Sequence, residues 1–586
     1  MTTHQLADKG GILSTSSRPD STKSITTGDK EPGAEINTLP NDPKSTVSSM
    51  KDESFNEQAT DEEPRSWRFW LVLASLCLAL LAVSLDITVM SVALPTISRA
   101  IEGADEQYVW ISSSFLLAST VVQPFISQLA DIFGRRWPML LSVALFMLGS
   151  GIIGGAKSVA MLIAGRTVQG LGGGGQFVLI EIVACDMVPL RERGQFLGMV
   201  NSAGAIGSTL GPILGGVIAQ KDWRWIFFMN LPLSGVTFAV QAFYLRLNYK
   251  KNPTWGAALA KIDYSGSFIF IASMSALLLG LIMGGTIYNW GTYHIIVPLV
   301  LGGVGWIVFH VYEALPICKV PSVPPHLFGT RTSLIGFFLG FDAALLLLWA
   351  TSFLPVYYLG VLGKTPLSAG VELLPFMIFS VPSGIVAGGI MAKIGKYKPF
   401  HFIGFGISAI GFGLFTLLGP DSHKAMWVCF EIIASIGMGV LMITVLPAIQ
   451  ANLSDADNAS SAGLFSFMRS FGFMWGIAIP AIIFNNQTDK HLHMIQDPTV
   501  AAAFAGGKAY SLVSSGYVQS LALEVKKEVI DMLVVALKPV WYGGMAFSLL
   551  GFVLAFAEKH VEMRTQLDTE YGLEKESKST STEVHP

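Results

Sequence analysis

The residues best able to carry chemistry are a few ionisable side chains inside long apolar runs. Asp86 lies in LDITVMSVALP, residues 85–95, and Arg166 lies in LIAGRTVQG, residues 162–170. An ionisable group at the centre of a bilayer costs about 3 kcal/mol or more, so such residues are usually functional. At 1.5 Å per helical residue, Asp86 and Arg166 lie roughly 10–16 Å from the same membrane face. An acid whose proton affinity depends on access to water suits proton coupling. A purely structural ion pair is the alternative.

Three more acids lie in apolar runs of the second half of the chain. Asp342 is about ten residues into its run, near the predicted midplane. It is a candidate for a second proton or a cationic substrate, although it could also face a wet cavity without a specific role. Glu372 and Glu431 lie near the outer ends of their runs, and we expect them to be solvated at the interface.

A polar loop, SQLADIFGRRWP at residues 127–138, separates two apolar runs. Gly134 permits a tight turn that a Cβ would hinder, with Arg135 and Arg136 directly after it. Arg469 lies at the same membrane face in the second half. We hypothesise that Asp131 and Arg469 form a charged latch holding this face shut; the alternative is that the arginines only anchor the topology.

A glycine-rich run, GAIGSTLGPILGG at residues 204–216, follows in the fifth apolar segment. Gly207, Gly211 and Gly215 are four residues apart and form one smooth helix face, which allows close helix approach. Pro212 can bend this helix, and Gly216 ends the run. Ordinary helix packing is the alternative to a bend between two moving halves.

Composition places the chain in a membrane. Of 586 residues, 51% are hydrophobic and 13% are charged, against about 25% charged in soluble proteins. Runs of roughly 20 apolar residues number about fourteen, so we predict an all-α membrane protein with about fourteen transmembrane helices. They centre on 69–95, 108–130, 138–156, 159–181, 195–219, 226–247, 265–286, 294–313, 333–360, 369–392, 400–419, 426–449, 462–484 and 536–557.

An internal sequence repeat divides these spans into two halves. SQLADIFGRRWP matches GGIMAKIGKYKP at residues 388–399, and Gly204 falls opposite Gly472. Two echoed six-helix halves are typical of a rocking transporter. We predict a disordered tail over 1–66, a six-helix half over 67–247, inserted spans 7–8 and linkers over 248–331, a second half over 332–560 with a long outer loop at 485–535, and a disordered tail over 561–586.

Lys and Arg are about twice as frequent in the loops of one side, which predicts that both termini are cytoplasmic. The long loop is then outside, and Asn486 heads a glycosylation sequon there. The partners expected are the lipid bilayer, a small-molecule substrate and protons.

The sequence disfavours several functional classes, among them ATP-driven pumps and enzymes. The motif GxxxxGK[ST] is absent, because Tyr358 stands at the required glycine before Gly363-Lys364-Thr365. There is no HExxH, histidine cluster or nucleophile elbow, so we expect no enzyme activity, cofactor or metal site. A net charge of −3 predicts no nucleic-acid partner, and no obligate protein partner is evident.

These motifs, taken in order, resemble the fourteen-span drug:proton antiporters of the major facilitator superfamily. The resemblance covers about 67–560 and is carried by LDITVMSVALP, SQLADIFGRRWP, GRTVQG and GSTLGPILGG, with Ser127 where the family usually has glycine. It implies a span-4 motif of Arg166, Gln169 and Gly170, with Arg166 tied to proton transfer. It also implies an antiporter motif typical of exporters at Gly207, Gly211, Pro212, Gly215 and Gly216.

The expected function is proton-coupled efflux of small, largely apolar molecules such as toxins, secondary metabolites or drugs, as in fungal members of the group. Asp86 and Arg166, aided by Asp342, would carry protons. The alternatives are a vacuolar or plasma-membrane carrier of amino acids or siderophores, and a substrate sensor on a transporter scaffold. The plasma membrane is the expected location.

Overall fold

The computed structural model describes residues 65–102, 107–219, 221–248, 253–285 and 287–564. The predicted tails, 1–66 and 561–586, fall almost entirely outside these residues. The described chain is helical, apart from loops and an isolated backbone bridge between Gly284 and Tyr288. An all-helical body is what a bilayer demands, since helices satisfy their own backbone hydrogen bonds.

Twenty α-helices follow one another along the described residues. They are α1 (Trp67–Ala100), α2 (Tyr108–Val121), α3 (Gln123–Phe133), α4 (Arg136–Gly154), α5 (Val159–Met187), α6 (Leu190–Ala219), α7 (Arg224–Phe228), α8 (Asn230–Tyr244), α9 (Trp255–Leu259), α10 (Tyr264–Met283), α11 (Tyr293–Ala314), α12 (Arg331–Gly360), α13 (Pro366–Glu372), α14 (Leu374–Ile394), α15 (Lys398–Phe415), α16 (Lys424–Ala451), α17 (Asn458–His491), α18 (Pro498–Phe504), α19 (Ala509–Ser514) and α20 (Leu523–Ala557).

The number of apolar spans is slightly below the prediction. Among the described residues, twelve helices are long and apolar enough to cross a membrane, or thirteen if α2 and α3, bent by 43° at their junction, count as one span. The predicted fifth span corresponds to α6, a 30-residue helix rich in glycine that is not among the twelve. The all-α membrane architecture is confirmed.

The same helix pairings occur twice along the chain. In the N-terminal set, α1 packs on α6 and α8, α5 packs on α2 and α4, and α4 packs on α8. In the C-terminal set, α12 packs on α17 and α20, α16 packs on α14 and α15, and α15 packs on α20. Helices α10 and α11 pair with each other, and α10 contacts α2 and α17. This repetition agrees with the internal echo of the sequence.

The contacts that join the two sets are concentrated at one end of the helices. We call this the terminal end, because α1 begins and α20 ends there, and we call the opposite end the distal end. Here α6 packs on α14, and α17 packs on α3 and α5. Gly388 lies so close to α6 that a Cβ would come within 2.6 Å of the Gly194 carbonyl oxygen. The two sets are therefore closed against each other at the terminal end.

The distal connection before α20 is shorter than the predicted loop of 485–535. Helix α17 continues to His491, and α20 already begins at Leu523. The intervening segment contains α18 and α19, whose apolar residues Phe504 and Val513 are buried. The polar ends of α17 and α20 are helical but carry no hydropathy signal. The predicted loop of 485–535 therefore begins too early and ends too late.

Candidate functional site

Asp86 and Arg166 form a buried ion pair in the N-terminal set. The Arg166 Nη1 donates to Asp86 Oδ2 at 2.6 Å, and the two residues are 2% and 1% exposed. Gln169 Nε2 donates to Asp86 Oδ1 at 2.8 Å, and Arg166 Nη1 also donates to Gln169 Oε1 at 2.7 Å. The sequence-predicted pair is thus formed, and the motif residue Gln169 bridges its two members.

Asn230 completes this network. Its Nδ2 donates to Asp86 Oδ1 at 2.7 Å, and Ser150 Oγ accepts from Gln169 Nε2 at 2.9 Å. Sequence analysis gave Asn230 no role, because an uncharged amide in an apolar helix start carries no obvious signal. We call Asp86, Ser150, Arg166, Gln169 and Asn230 the Asp86 network.

Glycine contacts bring the helices of this network close together. A Cβ on Gly149 of α4 would lie 2.4 Å from the Gln169 backbone nitrogen. A Cβ on Gly170 would lie 2.5 Å from the Phe115 carbonyl oxygen of α2. This approach places the Phe115 ring 4.6 Å from the Arg166 guanidinium carbon, a cation–π contact. The motif glycine Gly170 therefore positions the cation rather than contacting a ligand.

Asp342 lies apart from the Asp86 network, inside the C-terminal set. It is 0% exposed, and neither carboxylate oxygen has a hydrogen-bond partner within the described residues. A Cβ on Gly551 of α20 would come 2.6 Å from Asp342 Oδ2 and 2.3 Å from the Phe405 ring of α15. Asp342 of α12 is therefore packed against α15 and α20, and no cation pairs with it among the described residues.

The predicted latch residues adopt different pairings from the hypothesis. Arg135 donates to Asp131 at 2.9 Å and, through Nε, to Asp186 of α5 at 2.8 Å. Gly134 has φ +80°, as the tight turn requires. Arg136 donates to the carbonyl oxygen of Ala242 in α8. The arginines of this loop thus hold the N-terminal set together.

Asp131 does contact the C-terminal set, but its partner is the hydroxyl of Ser460 and not an arginine. Ser460 Oγ, at the start of α17, donates to Asp131 Oδ2 at 3.2 Å. Arg469, two and a half turns further along α17, pairs with Glu181 of α5. The direct Asp131–Arg469 pair was therefore wrong, because helical rise places the two groups at different depths.

Arg193 of α6 makes the most extensive polar contact between the sets. It is 1% exposed and donates to Gln450 Oε1 at 2.8 Å and Asn458 Oδ1 at 2.9 Å. Arg193 carried no individual prediction from the sequence. A positively charged loop residue gives no sign of burial until its partners in the other half are known.

Three of the four antiporter-motif glycines, Gly207, Gly211 and Gly215, face α1. A Cβ on Gly207 would lie 2.5 Å from the Leu81 carbonyl oxygen, and one on Gly211 would lie 1.9 Å from Thr88 Oγ1. Gly215 lies against Val89, Pro212 is inside α6, and Gly216 is half-buried. In the C-terminal set, Cβ atoms on Gly472 and Gly476 would lie 2.3 Å and 2.4 Å from the Phe341 and Leu345 carbonyl oxygens of α12, so small residues of α17 face α12 in the same way.

Two acids expected at the solvated interface are buried. Glu372 is 7% exposed and pairs with Lys424 at 3.2 Å and Lys364 at 3.7 Å. Glu431 is 0% exposed and accepts a hydrogen bond from the Tyr358 hydroxyl. The partners that bury them, two lysines for Glu372 and Tyr358 of α12 for Glu431, could not be inferred from position along one helix.

Asn486 is exposed but lies in the last turns of α17, not in a loop. Thr488, the third residue of its sequon, is buried. No group of three or more His, Cys, Asp or Glu residues that could hold a metal ion is found among the described residues.

Comparisons with known proteins agree with this architecture. The Major Facilitator Superfamily model matches residues 76–477. The chain is 45% identical to the MFS efflux transporter aclA of Aspergillus oryzae, over 92% of this chain and 97% of the relative. It is 42% identical to an MFS-type efflux pump of a Fusarium species, over 91% and 95%. It is 39% identical to the acurin A biosynthesis cluster MFS-type transporter of Aspergillus aculeatus, over 88% and 94%.

Among solved structures, the human organic anion transporter MFSD10 superposes with a TM-score of 0.55 at 14% identity, covering 83% of this chain and 99% of that one. At this identity the likeness concerns the fold alone. The family match spans most of the apolar body, and the curated relatives align over nearly their full lengths. The chain is therefore a multi-pass membrane protein that belongs to the major facilitator superfamily.

Proposed function

We propose that this protein exports small, largely apolar organic molecules, such as toxins or secondary metabolites, in exchange for protons. The observation that carries the proposal is the hydrogen-bonded Asp86–Arg166 ion pair buried in the N-terminal set. Relatives at 42–45% identity are named as efflux transporters or pumps, which supports the direction of transport. The superfamily is one of transporters rather than enzymes.

The Asp86 network suits a proton switch. A proton on Asp86 would cancel the charge that Arg166 now neutralises, and Gln169 and Asn230 would have to rearrange around the neutral acid. Breaking one side of a buried ion pair costs several kcal/mol. A neutral Asp86 would therefore leave the Arg166 charge uncompensated and destabilise the present packing of α1 against α5. Asp342 is a second buried acid that could change its charge during turnover.

Alternating access follows from the contacts between the sets. We assign the terminal end to the cytoplasm, following the loop charges, so the structure is closed towards the cytoplasm. Opening requires Arg193, Arg469 and Asp131 to leave their partners in the other set, while the two six-helix sets rock with α10 and α11 beside them. The proposed location is the plasma membrane, with both termini cytoplasmic.

Two experiments test the export proposal. Deleting the gene in its organism should leave one or more metabolites inside cells and deplete them from the medium. The retained compounds are then tested in sealed vesicles containing the purified protein, with and without an imposed pH difference. Asp86→Asn should abolish the effect of the pH difference, whereas Glu192→Gln, a change at the terminal surface, should leave it intact.

The deletion and vesicle experiments also distinguish export from the alternative functions. A sensor would bind the retained compound without moving it, and retention of amino acids or siderophores would favour the other carrier class. Glycosylation of Asn486 stays a prediction, and the mass of the intact protein before and after glycosidase treatment tests it.

A further inference from the structure

The C-terminal set contains a buried acid at the position that Arg166 occupies in the N-terminal set. The register follows from helix contacts. A Cβ on Gly149 meets Gln169, as a Cβ on Gly411 meets Ala434 at 2.6 Å. Arg166 precedes Gln169 by three residues, and Glu431 precedes Ala434 by three.

A second pair of contacts gives the same register. Gly172 of α5 lies against Phe146 and Ser142 of α4. In the same way, Gly437 of α16 lies against Ser408 and Gly404 of α15. Both helices begin at the distal end, and both ionisable residues are the eighth of their helix. At 1.5 Å per residue, each lies about 10 Å from the helix start.

The environment of Glu431 differs from that of Arg166 in charge. Glu431 Oε1 accepts a hydrogen bond from Tyr358 of α12, and Oε2 has no partner within the described residues. The Tyr358 ring packs against Trp427, with ring centroids 5.1 Å apart. An isolated carboxylate in such surroundings is costly, and a proton on Oε2 removes that cost.

The charged and titratable groups facing this acid are few. They are Tyr358 of α12, which donates to Glu431, and Glu372 of α13; the Tyr357 ring lies beside that of Tyr358, with centroids 5.6 Å apart. Lys364 and Lys424 pair with Glu372 at the distal surface, and within the described residues neither lysine pairs with Glu431. Lys424 begins α16 seven residues before Glu431, so the lysine–glutamate group lies on the distal side of this acid.

We propose that Glu431, held by Tyr358, is a second proton-binding site of the transport cycle, loaded from the distal side. An O–H bond forms at Oε2 when distal water gives up a proton, and it breaks when the acid returns that proton to the terminal side after the sets rock. The inference rests on the proposed proton coupling, and it implies that the two sets carry protons at equivalent depths through different residues.

Infrared difference spectroscopy of the purified full chain in vesicles tests this without any transported solute. A pH titration of the wild-type protein should show the carbonyl stretch of protonated carboxyl groups. Glu431→Gln should remove the absorbance of one such group, and Glu372→Gln, the matched control at the paired acid, should remove none. Tyr358→Phe should keep the band and change its frequency, because the carboxyl loses a hydrogen bond.

A Glu431→Gln spectrum identical to that of the wild type at every pH would overturn the proposal. If this variant fails to fold, an unchanged set of carboxyl bands in Tyr358→Phe would overturn it instead. Because the readout needs no solute, a negative result here is distinguishable from failure of the export proposal, which the vesicle experiment decides.

Discussion

The N-terminal and C-terminal helix sets share their packing, but they differ in whether a buried acid is paired with a cation. In the first set, Asp86 is neutralised by Arg166 and accepts hydrogen bonds from two amides. In the second, Asp342 and Glu431 are as deeply buried, yet within the described residues no cation pairs with either. An unpaired charge is costly in hydrocarbon, so we expect a bound proton, rather than a cation, to neutralise Asp342 and Glu431.

The largest expected effect comes from breaking the paired site. Arg166→Ala leaves the Asp86 carboxylate buried without its cation, which should destabilise the protein by about 3–5 kcal/mol and abolish proton-driven transport. Thermal unfolding of the purified protein measures the first effect and vesicle flux the second. The double variant Asp86→Asn/Arg166→Gln should recover much of the stability but no transport; equal stability of the single variant and the wild type would contradict the account.

The next effect tests the packing that the two sets share. Gly207→Ala and Gly472→Ala each push a methyl group into a carbonyl oxygen of the neighbouring helix, at 2.5 Å and 2.3 Å. Each should cost about 1–3 kcal/mol, measured as a lowered unfolding temperature. Gly389→Ala is the matched control, since nothing lies within 4 Å of its Cβ position. Clearly different losses of unfolding temperature in Gly207→Ala and Gly472→Ala would contradict the equivalence of the α1–α6 and α12–α17 packing.

A smaller effect concerns the contacts between the sets. Glu181→Gln replaces the charged hydrogen bond to Arg469, worth about 1.5–3 kcal/mol, with a neutral one worth about 0.5–1.5 kcal/mol, a loss of roughly 1.3 kcal/mol. The terminal end should therefore open about tenfold more often. Cys185, buried in α5 at this end, reports opening through its rate of reaction with a water-soluble maleimide when the other cysteines are serine. An unchanged rate, with Glu192→Gln as control, would show that Arg469 does not hold the sets closed.

The smallest stability effect is expected at Asp342. Asp342→Asn replaces an unpaired acid with a neutral group of the same shape, so stability should be unchanged or should rise by less than about 1 kcal/mol. This is opposite to the effect at Arg166. Thermal unfolding at two pH values checks it, and a loss of several kcal/mol would mean that Asp342 has a partner that stabilises the folded state.

Much of this arrangement could be predicted from sequence, because hydrophobic length and costly charges are local signals. The spans, the repeat and the Asp86–Arg166 pair all follow from runs of apolar residues and from isolated ionisable groups. Asn230, Arg193 and Glu431 could not be assigned in this way. Their roles depend on partners 144, 257 and 73 residues away along the chain.

The latch shows the same limit. Sequence placed Asp131 and Arg469 at one membrane face, and both do contact the other set. Which acid meets which base depends on depth and helix rotation to within one turn, and apolar runs define helix ends only to within several residues. Pairings across the two sets therefore required the packed structure.

The central claim is that protons crossing at Asp86 and Arg166 drive export. The most direct measurement is solute flux in sealed vesicles containing the purified protein, using the compounds that the deletion strain retains. The account predicts that an imposed pH difference drives wild-type flux, that a protonophore abolishes it, and that Asp86→Asn moves no solute in response to the same gradient. Wild-type flux that is equal with and without the pH difference would contradict it.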